Sequence, residues 1–90
     1  MATNTCASKM TYGSMDDIRS EPFWQIRADK ARAMFDEGKT ESYPNVNNPG
    51  ENPTLRGWVD HTAAQEWIDF LVAEAPTYNV SIVAAEIVDY

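Results

Sequence analysis

The last twelve residues, Asn79 to Tyr90, restrict the fold more than any other part of the chain. Val80, Ile82, Ala84 and Val88 alternate with Val83, Ala85 and Ile87, so an extended strand here is apolar on both faces, interrupted only by Ser81, Glu86 and Asp89. A strand with one wet face reads apolar-polar-apolar. One that is greasy on two sides needs cover on two sides. A helix layer supplies one cover. The simplest second cover is another copy of the chain, because a two-fold dimer is the commonest closed assembly; the rival is the N-terminal segment or the Pro/Asn loop folded over the open face.

The helix layer is legible upstream. Ala64, Trp67, Ile68, Leu71 and Val72 recur at i, i+3, i+4, i+7 and i+8, which is one face of a helix. Thr62 with Gln65 three residues later reads as a capping box at its start, and Pro76 stops it. A second helix is predicted within residues 15–37. Ser20 precedes Glu21 and Pro22, a first turn suited to proline and to the positive end of the helix dipole. Phe23, Ile26, Ala33 and Met34 form one apolar arc, Trp24, Ala28, Ala31 and Phe35 an adjacent one, and Arg27, Lys30 and Arg32 are assigned to water. Gly38 suits the left-handed residue that ends such a helix.

Three further strands are weaker. Cys6 to Tyr12 alternates after a frayed start at residues 1–5. Lys39 to Tyr43 is a short candidate ending at Pro44. Leu55 to His61 places Leu55, Gly57, Val59 and His61 on one face and Arg56, Trp58 and Asp60 on the other. Between the last two lies a loop, residues 44–53, with three Pro, one Gly and four Asn. The order is therefore strand, helix, strand, strand, helix, strand. That is the ferredoxin-like βαββαβ pattern, an α+β domain with an antiparallel sheet and two helices on one face. One domain spans residues 1–90.

Composition narrows the partners. Fourteen acidic residues against seven basic give a net charge of −7. Binding nucleic acid by counterion release needs clustered Lys and Arg, and anionic membranes need the same, so neither partner is expected. Arg56 is the last basic residue, leaving Asp60, Glu66, Asp69, Glu74, Glu86 and Asp89 uncompensated. This reads first as a solubilising surface and second as an acidic face for a basic partner. Met1 to Gly13 has no apolar run of signal-peptide length, and with a single Cys the expected location is the cytoplasm.

Chemistry is sparse. His61, the one histidine, ends the third strand and precedes a helix N-terminus, where it can serve as a base or hold an anion. No partner for it is visible, and a structural role is the simpler reading. One His and one Cys, 55 positions apart, provide no metal-ligand spacing, and Asp16-Asp17 lacks the rest of a calcium loop. Neither a metal nor a cofactor is expected. Trp58 on the open sheet face, beside Arg56 and with Tyr43 and His61 nearby, forms the candidate ligand or partner site. Val83, Ala85, Ile87 and Trp58 form the candidate dimer interface.

The run Thr62-Ala-Ala-Gln-Glu-Trp-Ile-Asp-Phe-Leu-Val, leading into Val80-Ser-Ile-Val-Ala-Ala-Glu-Ile-Val-Asp-Tyr, resembles the close of small ferredoxin-like proteins. It is similar to short uncharacterised proteins of marine phages and ocean metagenomes, and more loosely to dimeric α/β-barrel proteins. The resemblance covers the last third of the chain and carries no catalytic motif. It implies the fold and a dimer. Two functions follow as expectations: a non-enzymatic interaction module, homodimeric and binding a protein partner, or a small-molecule-binding protein or enzyme using a helix–sheet cleft.

Overall fold

A computed structural model describes residues 5–14, 20–40 and 54–89. The elements are β1 (Cys6–Tyr12), α1 (Glu21–Asp36), β2 (Thr54–Trp58), α2 (His61–Glu74), a 3-10 turn (Ala75–Tyr78) and β3 (Ile82–Asp89). The three strands form one antiparallel sheet in the order β2-β1-β3. The loop at 44–53 and most of the short strand expected at 39–43 lie outside the described residues. Residues 39 and 40 lie inside them and run beside the end of β2. Val59 N–H donates to the Lys39 carbonyl at 2.9 Å, and the Thr40 hydroxyl donates to the Gly57 carbonyl.

Helix α1 begins after Ser20, with Pro22 in its first turn. It ends through Gly38, whose φ of +77° is open to glycine at no cost. The Gly38 and Lys39 amides turn back onto the Phe35 and Met34 carbonyls. Its buried residues are Phe23, Arg27, Ala28, Ala31 and Met34, whereas Ala33 is exposed. The assignment of Arg27 to water is therefore corrected. At about 100° per residue, Arg27 falls between the two apolar arcs, so the helix buries the direction that bisects them.

Helix α2 starts two residues earlier than the capping box predicts. Asp60, with extended backbone, accepts the Ala63 N–H at 2.8 Å and is the N-cap. An aspartate fills this role as well as a threonine and adds a charge at the positive end of the dipole. The change makes His61 the first helical residue and not the end of a strand. Ala63, Ala64, Trp67, Ile68 and Leu71 are buried as the periodicity requires, while Val72 at the edge of the stripe is 48% exposed.

The core lies between the helices and one face of the sheet. Trp58, Trp67, Phe23, Met10, Met34, Leu71, Cys6 and Ser8 are all fully buried there. Each large apolar side chain contributes about 1.5–3 kcal/mol by leaving water. Trp58 and Trp67 pack ring on ring at 5.4 Å, and Phe23 meets Tyr12 edge-on at 6.2 Å. Trp58 is thus on the helix side of the sheet, not the open side expected for it. The register explains why. Cys6 pairs with Trp58 and Ala7 with Gly57, so Trp58 shares the face of Cys6, Ser8 and Met10. Its indole N–H then finds the buried Ser8 hydroxyl at 3.0 Å.

Candidate interaction surface

The alternation of β1 divides the sheet. Cys6, Ser8, Met10 and Tyr12 face the helices, and Ala7, Lys9 and Thr11 face away. Cross-strand partners share a face, and β3 pairs Val88 with Ala7, Glu86 with Lys9 and Ala84 with Thr11. Away from the helices, β1 and β3 therefore present three pairs: Ala7 and Val88, Lys9 and Glu86, Thr11 and Ala84. Val88 is 40% exposed, Lys9, Thr11, Ala84 and Glu86 are exposed, and Ala7 is buried. Among the described residues this face has no covering layer.

A bulge reshapes the outer strand. Thr11 pairs with Ala84 and Tyr12 with Ile82, so Val83 has no partner across the ladder and stands 66% exposed. It also shifts the parity. Ile82 packs against the core with Ile87, although strict alternation sets them on opposite faces. Of the residues expected at a sheet-to-sheet interface, Ile87 and Trp58 face the helices, Ala85 stands opposite buried Met10 and is exposed, and Val83 occupies the bulge. The residues facing outward, Ala84, Glu86 and Val88, are their neighbours. The signal that selects them is the alternation of β1, with Lys9 and Thr11 marking the wet side.

Tyr43 and the side chain of Arg56 lie outside the described residues. His61 is exposed on the first turn of α2, and its Nε2 lies 2.5 Å from Asp89 Oδ1 at the end of β3. The contact ties a helix start to a strand end. With both side chains more than half exposed it is a surface pair of small energy. Cys6 is buried nearby, and burial holds its thiol above the usual range, with the Asp60 and Asp89 carboxylates acting in the same direction. A thiol in that setting is a poor nucleophile. Among the described residues no group of three His, Cys, Asp or Glu side chains is placed to hold a metal ion, and no helix is long and apolar enough to cross a membrane.

Two further polar features fasten the helices. Glu66 on α2 accepts from Lys39 at 2.6 Å and Lys30 at 2.9 Å, and Lys39 also reaches Glu37 at 3.0 Å. Donation from Lys39 first, and then Lys30, lowers the Glu66 pKa, while Glu66 followed by Glu37 raises that of Lys39. Arg27 is 3% exposed. Its guanidinium lies over the rings of Trp24 at 5.0 Å and Trp67 at 5.4 Å, and its Nε–H donates to the Tyr12 hydroxyl at 3.2 Å. Burial lowers its pKa, with Tyr12 acting against that shift. On the outer side of α1, a groove of about 260 Å³ is lined by Glu21, Trp24, Gln25, Ala28, Asp29 and Arg32.

Comparison with models of known protein families, with curated proteins and with solved structures gives no match.

Proposed function

We propose that this chain is a non-enzymatic interaction module, a ferredoxin-like homodimer that binds a protein partner. The observation that carries the reading is the asymmetry of the sheet. Its helix side is packed with fully buried side chains, while its other side carries exposed Val88 and Ala84, with Val83 bulged out at the edge. Exposed apolar side chains gathered on one strand mark a contact surface better than scattered ones do.

The strand order supports the fold part of the reading. In a βαββαβ sheet the first strand lies between the third and the last, antiparallel to both, as β1 lies between β2 and β3 here. The remaining strand would run outside β2, where residues 39 and 40 bond to residues 57 and 59. The cleft alternative needs room between helices and sheet, and Trp58, Trp67, Met10 and Met34 occupy that space. In this reading the module acts in a reducing cytoplasm.

Sedimentation velocity on the unaltered chain and on Val88→Asp tests the proposal. The unaltered chain is expected to dimerise and Val88→Asp to remain monomeric with an unchanged far-UV spectrum. Val72→Asp, on the exposed flank of α2, should dimerise normally. A monomer at every concentration for the unaltered chain removes the reading.

A further inference from the structure

We infer that the second copy seats on the β1–β3 face about a two-fold axis parallel to the strands, so that Lys9 of each copy meets Glu86 of the other. The inference rests on the homodimer reading above and specifies its contact. Two chains of net charge −7 repel, and they can approach only where the local charge is balanced. The described part of this face carries one cation and one anion, Lys9 and Glu86, side by side on adjacent strands.

The three cross-strand pairs are complementary to themselves. An axis running between β1 and β3 in the plane of contact carries each residue over its own cross-strand neighbour. Lys9 then lies over the second copy's Glu86, and Glu86 over its Lys9. Val88, exposed, falls over the position of buried Ala7, and Thr11 falls onto Ala84. Large side chains meet small ones and charges meet their opposites, as an isologous interface requires. The sheets stack with strands aligned, the common arrangement for two sheets packed face to face. Edge-to-edge joining through β3 is disfavoured, because the bulge at Val83 breaks the row of backbone groups a second strand would need.

The test is a mixing experiment. In Lys9→Glu two glutamates face each other across the axis, twice over. In Glu86→Lys two lysines do so. Each variant alone should dimerise at least about tenfold more weakly than the unaltered chain. Mixed one to one, they restore both attractive contacts, and a heterodimer of about normal affinity should form. Sedimentation velocity and native mass spectrometry at low salt read all four samples. A mixture no tighter than its components, or single variants that dimerise normally, overturns the two-fold contact while leaving a dimer of another geometry. An unaltered chain that is monomeric up to about 1 mM, the weak end of specific association, overturns the homodimer reading as well. If a charge reversal fails to fold, Lys9→Gln and Glu86→Gln replace it. Each alone then has no cross-axis ion pair and their heterodimer has one, so the mixture must still bind more tightly than either component.

Discussion

Replacing Ser8 with alanine tests which side of the sheet Trp58 occupies. The Ser8 hydroxyl accepts the Trp58 indole N–H at 3.0 Å, and both side chains are fully buried. Without that oxygen the N–H has no acceptor and no water, a loss of about 1–3 kcal/mol. For a domain of this size each kcal/mol lowers Tm by about 4–8 °C, so Ser8→Ala should melt about 5–20 °C below the parent. Ser8 has other contacts, so the single variant does not isolate the pair. A double-mutant cycle with Trp58→Phe does. Once the N–H is gone, Ser8→Ala should cost less by about 1 kcal/mol or more. Trp67→Phe supplies the contrast, because Trp67 Nε1 is buried with no hydrogen-bond partner among the described residues. Its cycle with Ser8→Ala should show no hydrogen-bond coupling. Urea unfolding followed by far-UV circular dichroism gives all the terms. Additive effects of Ser8→Ala and Trp58→Phe, within about 0.3 kcal/mol, would refute the placement, because residues on opposite faces of a sheet do not couple.

Asp60→Ala should destabilise the fold by about 1 kcal/mol through loss of the α2 cap, while Thr62→Ala should cost under about 0.5 kcal/mol; thermal melts separate the two. Arg27→Ala should cost about 2–4 kcal/mol in urea unfolding, and Arg27→Lys should recover less than half, since an ammonium cannot lie flat against Trp24 and Trp67 while donating to Tyr12. The Glu66 pKa is lowered on folding, so its contribution is present above the ordinary glutamate range and fades as pH falls through the lowered value. Glu66→Gln should therefore cost up to about 1 kcal/mol at neutral pH, allowing for solvent screening of the partly exposed pairs, and show a flatter loss of Tm on acidification.

What the sequence conveys here depends on how local the determinant is. The start of α1 at Ser20-Glu21-Pro22, its end at Gly38, the apolar stripe of α2 and the extent of β1 all rest on residues a few positions apart, and all appear in the structure. Sidedness depends on pairing partners far along the chain. Leu55 to His61 has apolar residues at both parities, so its own pattern cannot place Trp58 above or below the sheet. Cys6 does, 52 residues away. A one-residue shift exchanges the two faces of a strand, and the bulge at Val83 is such a shift, which is why Ile82 joins Ile87 against the core. Arg27 was hidden by residue type. A long cationic side chain is assigned to water by default, yet here two indole faces and a phenol hydroxyl enclose it. The interaction surface inherits the same limits. That β3 is apolar at both parities can be read from its sequence, but which of those side chains face outward requires its register against β1.

Small-angle scattering over a concentration series examines the proposed contact directly. One protomer has a radius of gyration of 12.1 Å. Two protomers stacked through their open faces, with about 10 Å between packed layers, place their centres about 20 Å apart and give about 16 Å for the pair. The radius should rise from the protomer value to about 16 Å as concentration increases. A radius that stays near 12 Å throughout would contradict it.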